Sequence, residues 1–212
     1  SLSLVESGVR IGLASECDFV VAVGGGAVID TGKALAALMA NGGGALDYLE
    51  VVGKGEPLRE PSLPLIAVPT TAGTGSEVTR NAVITVAQKR VKASMRSHFM
   101  LPALALVDPE LTLNLPPALT ASTGMDALTQ LLESYVSTRA NPMVDALCRE
   151  GLMHVSRSLV RAFEKGDDLE ARSRMSMAST LGGMALANAG LGAVHGIAAV
   201  IGGGFGAPHG AV

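Results

Sequence analysis

The chain has 212 residues, of which 48% are hydrophobic and 17% charged, with a formal charge of -3 at pH 7. That length allows one large or two small domains with buried cores, and the composition excludes a disordered chain. The near-neutral charge, with no basic run, argues against a nucleic acid or an anionic membrane as partner.

Ser1 leads straight into a polar helical pattern. Phe19-Val20-Val21-Ala22-Val23 is a short apolar run ending in Gly24-Gly25-Gly26, which predicts a buried parallel strand. Beyond it Val28, Gly32, Leu35, Leu38 and Met39 fall on one face of a helix that stops at Asn41-Gly42-Gly43-Gly44. The proline-rich stretch from Gly53 to Pro64 reads as an irregular connection. Leu65-Ile66-Ala67-Val68 is a second buried strand, halted by Pro69, and a small hydroxyl-rich loop follows it. Ala82 to Val86 and Val91 to Met95 flank Gln88-Lys89-Arg90 as a hairpin, and Leu104 to Val107 is a further buried strand ended by Asp108-Pro109. From Ala118 to Ala199 the apolar spacing is almost continuously helical, with breaks at Asn141-Pro142 and Lys165-Gly166-Asp167. A boundary near Leu113 therefore divides an α/β domain, residues 1–113, from an all-α domain, residues 114–212. No Met begins the chain and a helix is starting where Val212 ends it, so truncation at both ends is expected.

Strand, glycine turn and helix open a phosphate-binding unit, because glycine lets backbone amides approach a pyrophosphate and the helix directs its positive end at it. The same feature also serves as a plain strand-to-helix turn. A GxGxxG frame starting at Gly24 would need its last glycine at Ile29, and Gly32-Lys33-Ala34 lacks the hydroxyl of a Walker A loop. Ordinary Rossmann enzymes and P-loop NTPases are thereby disfavoured. The loop from Pro69 to Glu77 adds hydroxyls at the carboxyl end of a strand, where ligands settle in open α/β sheets.

Gly24-Gly25-Gly26-Ala27-Val28-Ile29-Asp30, followed by Pro69-Thr70-Thr71-Ala72-Gly73-Thr74-Gly75-Ser76-Glu77, resembles the paired signatures of the iron-containing (group III) alcohol dehydrogenases. Asp108-Pro109-Glu110-Leu111-Thr112 with Leu115-Pro116-Pro117 is similar to that family's interdomain junction. The resemblance runs over essentially the whole chain. It implies a dehydroquinate-synthase-like fold, an α/β nucleotide-binding domain followed by an all-α domain, with NAD or NADP in the cleft between them. It also implies that Gly25, Gly26 and Ala27 contact the pyrophosphate, that Asp30 sits in the same turn, and that Thr70, Thr71 and Thr74 line the nicotinamide side. Asn81 and Lys92 match positions that approach the ribose and phosphate region. A homo-oligomer is expected on the same ground.

Gly124-Met125-Asp126-Ala127-Leu128-Thr129 is similar to the family's first metal-ligand segment, which makes Asp126 a ligand. His195 in Gly192-Ala193-Val194-His195-Gly196 and His209 in Pro208-His209-Gly210 match two histidine ligands. One carboxylate and two imidazoles suit Fe2+ or Zn2+ and leave positions open for substrate. Two departures stand out. The family pattern has a fourth ligand, a His, where this chain has Gln130, whose amide oxygen lies on the same helix face as Asp126 but is a weaker donor. The second departure is Ala199, where many members carry a further His that relays protons; Thr70, Thr71 or water would have to take that part.

The reading that results is an NAD(P)-dependent, metal-dependent oxidoreductase interconverting a small alcohol and its aldehyde or ketone. The nearest alternative is a maleylacetate-reductase-like, metal-independent reductase, towards which Gln130 and Ala199 point. A nucleotide-binding fragment without activity is a third reading. A lyase or synthase on the dehydroquinate-synthase scaffold lacks the basic pocket it would need. Cys17 and Cys148 form no disulfide framework, no stretch is apolar enough for a membrane span, and Ser1 to Gly12 lacks a signal-peptide layout, so the cytoplasm is expected. His98, His154, the Met-rich run from Met175 to Met184 and Asp167-Asp168 read as surface, core and helix-cap features.

Overall fold

A computed structural model of the chain describes residues 1–205, 207 and 209–211. Two apolar runs pair as parallel strands, β1 (Val20–Gly24) and β2 (Leu65–Pro69), in a register that sets Val20 beside Leu65 and Gly24 beside Pro69. The two strands therefore end level, and the glycine turn after β1 emerges next to the hydroxyl-rich loop after β2. That register is what assembles one half of the site.

Helix α1 (Leu2–Ala14) lies on helix α2 (Gly26–Asn41), and α2 covers one face of the sheet. The approach is close: a Cβ on Gly32 would come within 2.7 Å of the Ala22 side chain. Because α2 touches the sheet, α1 and the hairpin, its buried residues, Ile29, Lys33, Ala34, Ala37 and Leu38 among them, run most of the way round it. Val28, expected on the apolar face, instead points outward and is 46% exposed. The second face of the sheet is not covered by any described element. Val21 and Val23, expected to be buried, are accordingly 51% and 56% exposed. A short helix, α3 (Ala45–Tyr48), precedes the irregular stretch to Pro64.

Strands β3 (Asn81–Val86) and β4 (Val91–Arg96) form the expected hairpin as a separate antiparallel sheet. Alternation buries Ala82, Ile84, Val86, Ala93 and Met95 and turns Asn81, Thr85, Lys92 and Ser94 the other way. Strand β5 (Leu104–Ala105) joins β2 in parallel to give the order β1-β2-β5. It is shorter than the run to Val107 suggests, because Asp108 accepts from the Glu110 amide and turns the chain away at Pro109.

The rest is helical: α4 (Pro117–Tyr135), α5 (Pro142–Glu164), α6 (Leu169–Ala189) and α7 (Ala193–Phe205). Asn141 accepts from the amides of Met143 and Val144, and Asp168 from that of Ala171, so both expected breaks are helix starts with side-chain caps. Leu131, Val144, Cys148, Val155, Met175 and Ala178 form the core of this half. A third break was not legible as such: α6 and α7 meet at a bend of 102°. Gly190, at φ +71°, makes that turn, a backbone conformation that side chains other than hydrogen resist. Among the described residues no single helix is long and apolar enough to cross a membrane.

Candidate active site

Helix α2 starts at Gly26 with no side chain capping its first turn, so its leading amides are left for another acceptor. The turn sits tightly under the loop after β2. The Thr70 amide donates to the Gly24 carbonyl at 3.0 Å. A Cβ on Gly25 would meet the Thr71 side chain at 3.3 Å, and one on Gly26 would meet the Thr74 hydroxyl at 2.6 Å. Glycine at both places is what admits the threonines.

The loop is then tied down on two sides. Asp30 accepts from the Ser76 hydroxyl at 2.6 Å and from the Val83 amide at 2.9 Å, so both of its oxygens are engaged by the protein. Lys33, fully buried, donates to the Ser76 and Thr79 hydroxyls and the Asn81 carbonyl. Burial drives its pKa down against the pull of Asp30 and Glu77. On the helical side Ser179 accepts from the Gly75 amide, Thr180 donates to Glu77, and Gln130 donates to the Thr74 carbonyl at 3.1 Å. The loop thus couples the sheet half to α4 and α6.

A cleft of about 570 Å3 runs between the halves, a size typical of ligand pockets. Gly26, Ala27, Asp30 and Thr74 line one side, Asn81 and Lys92 the hairpin side, and Gln130, His195, Ala199 and His209 the helical side. Thr70 and Thr71 lie at the base of the loop beside the glycine turn.

At the helical end of the cleft, Asp126 on α4, His195 in the first turn of α7 and His209 in the last described turn come together. One donor atom from each lies within 4.8 Å of the others. Asp126 Oδ1 is 3.2 Å from His195 Nε2 and 3.7 Å from His209 Nε2, with Asp126 buried and His209 exposed. Pro208, which precedes His209 in the sequence motif, lies outside the described residues. A smaller cavity of about 230 Å3, lined by Met125, Thr129, Val194 and Ala198, opens on the same three side chains.

The sequence reading missed Glu133. It stands seven positions after Asp126, two turns along α4, and its Oε2 is 2.6 Å from His195 Nδ1. The amide of Val194 donates to the same carboxylate at 2.7 Å and that of His195 at 3.3 Å. Burial alone would raise the Glu133 carboxyl, but the His195 ring and these amides outweigh it and hold the group below its ordinary value. Burial would likewise lower His195, yet the two flanking carboxylates, Asp126 and Glu133, raise it. An acidic residue two turns from a suspected ligand on the same helix face is the signal that could have found Glu133. In the sequence Lys33 stands only in Gly32-Lys33-Ala34, which lacks the hydroxyl of a Walker A loop and gives no sign of its buried partners.

Family models match nearly the whole chain: that of the iron-containing alcohol dehydrogenases covers residues 1–109, and the C-terminal model of the Fe-containing alcohol dehydrogenase family covers residues 120–212. Alcohol dehydrogenase 4 of Schizosaccharomyces pombe is 47% identical over 206 residues, covering 97% of this chain and 48% of its own length. The 1,3-propanediol dehydrogenase of Klebsiella pneumoniae is 43% identical over 209 residues, covering 97% of this chain and 53% of its own. Among solved structures, the sulfoacetaldehyde reductase of Bifidobacterium kashiwanohense in complex with NAD+ superposes with a TM-score of 0.93 at 36% identity, covering 99% of this chain and 55% of that one. The chain therefore spans about half the length of the relatives it matches.

Proposed function

The chain belongs to the iron-containing alcohol dehydrogenase family, and from that premise we propose that the protein is an NAD(P)-dependent, metal-dependent alcohol dehydrogenase acting on a small alcohol or its aldehyde or ketone. The observation that carries the proposal is that His195 and His209 border both the three-residue donor cluster and the cleft that begins at the glycine turn. A metal held there and a dinucleotide held at Gly25, Gly26 and Ala27 would face the same space.

Asp126, His195 and His209 fit a divalent transition metal by donor type, one carboxylate and two imidazoles, with Fe2+ or Zn2+ as the candidates. Gln130 is the fourth position in our reading; its nitrogen is committed to the Thr74 carbonyl, which leaves the amide oxygen as its only donor atom. When bound, the metal supplies Lewis acidity that acidifies the substrate hydroxyl, and the nicotinamide supplies the hydride acceptor. The protein's own part is positional. The amides at the start of α2 take the pyrophosphate, Thr70, Thr71 and Thr74 form the nicotinamide side, and Asn81 and Lys92 serve the ribose and phosphate. Asp30 and Lys33 hold the loop that carries those threonines. Ala199 offers no proton acceptor, so Thr70, Thr71 or water would have to take up the hydroxyl proton.

The metal-independent reductase remains the second reading, favoured by Gln130 and Ala199. The two are separated by stripping the intact protein with a chelator and assaying alcohol oxidation with NAD and NADP before and after adding back Fe2+ or Zn2+. Loss and restoration support the dehydrogenase; full activity in metal-free protein supports the reductase.

A further inference from the structure

We propose that Glu133 is a positioning residue that presents His195 Nε2 to the metal by gripping that residue at its ring and at its backbone. The inference deepens the metal-dependent reading above and rests on it.

Three observations converge. First, an imidazole offers a lone pair at one nitrogen only when the other carries the proton, and a carboxylate 2.6 Å from Nδ1 holds the proton there. That leaves Nε2, the nitrogen 3.2 Å from Asp126 Oδ1, as the donor. Second, the same carboxylate accepts from the Val194 and His195 amides, so it closes the first turn of α7 from outside that helix. The backbone that carries His195 and the ring of His195 are thus fixed by one side chain projecting from α4. Third, the chain gives the carboxylate room: a Cβ on Gly192 would lie 2.8 Å from Glu133 Oε1. The glycine therefore serves the carboxylate.

Glu133→Gln releases the ring while keeping part of the backbone grip. Its amide oxygen still accepts from the Val194 amide, but an NH2 group in place of Oε2 accepts neither the Nδ1 hydrogen nor that of the His195 amide, and the ring is driven towards the tautomer with its proton at Nε2. The test titrates metal-stripped intact protein with Co2+, following the visible absorption of the bound ion, and measures NADH binding on the same samples. Glu133→Gln should weaken Co2+ about 10- to 100-fold with NADH affinity unchanged, as is usual for a carboxylate behind a histidine ligand. Gly192→Ala should weaken Co2+ in the same direction. In Zn2+-loaded parent protein the histidine 15N spectrum should report His195 protonated at Nδ1. Parent-like Co2+ affinity in Glu133→Gln, an equal loss of NADH binding, or a His195 bound to metal through Nδ1 would each overturn the inference. A parent that binds no Co2+ would overturn the metal reading and this inference together.

Discussion

Gln130 is buried at 3% exposure one helical turn after Asp126, and its side-chain nitrogen donates to the Thr74 carbonyl at 3.1 Å. Two perturbations read its two ends. Gln130→Ala removes the donor and leaves the loop carrying Thr74 without its tie to α4. A hydrogen bond of this kind is worth about 1 kcal/mol net. Spent on loop order, that loss lowers cofactor affinity about fivefold, since about 1.4 kcal/mol corresponds to a factor of ten. Gln130→His instead puts an imidazole at the same position, one turn from Asp126, where its nitrogen is a better donor to Fe2+ or Zn2+ than an amide oxygen. Metal affinity should rise in that variant whether or not turnover does, because a filled coordination position can exclude substrate. The assay is paired: NADH binding by fluorescence and Zn2+ binding against a chromophoric competitor, on parent and both variants. Unchanged NADH affinity in Gln130→Ala refutes the tie as an element of the cofactor site. Unchanged Zn2+ affinity in Gln130→His refutes Gln130 as a coordination position.

Gly25→Val should abolish cofactor binding in a protein that still folds, because the new side chain meets Thr71 at a point where a Cβ alone comes within 3.3 Å; NADH titration of the folded variant checks it, and parent-like binding would contradict the glycine turn as the pyrophosphate site. Lys33→Met should cost about 3 kcal/mol, since it removes the cation beside Asp30 and leaves the buried acceptors on Ser76, Thr79 and Asn81 without their donor, and calorimetry should show a melting temperature lower by about 6–12 °C. The thiols should separate cleanly: burial pushes the Cys148 thiol up to about 11, so at pH 8 it is almost wholly protonated and shielded, whereas Cys17 is exposed. Iodoacetamide at that pH should alkylate Cys17 alone by mass spectrometry of the native protein, and the Cys148 reaction should appear only as pH approaches its pKa or the fold is lost.

Much of this was legible because it is local. Parallel strands announced themselves by apolar runs stopped at Gly24 and Pro69, and the helix starts at Asn141 and Asp168 by residues that cap. The resemblance then named Asp126, His195 and His209, and the structure brings those three side chains together. What was not legible depends on which faces meet. The exposure of Val21 and Val23 follows from α2 covering only one face of the sheet, which an apolar run cannot announce. The bend between α6 and α7 hid in a sequence whose composition stays helical through Gly190 and Gly192. Glu133 and Lys33 escaped for a common reason: each looks like an ordinary helix charge until partners at large sequence separation, His195 for one and Ser76 and Asn81 for the other, are seen beside it.

One divalent metal bound by Asp126, His195 and His209 is the premise on which the proposed activity rests. Its most direct test is the metal content, by inductively coupled plasma mass spectrometry, of the intact protein and four variants after equilibration with Fe2+ or Zn2+ and desalting. His195→Ala and His209→Ala remove donors; His98→Ala and His154→Ala remove histidines that sit elsewhere, the latter beside Glu150 on α5. The expected result is close to one ion per chain in the parent and in the His98 and His154 variants, with occupancy largely lost in the other two. Equal metal content in all five proteins, or none in the parent, would contradict the site.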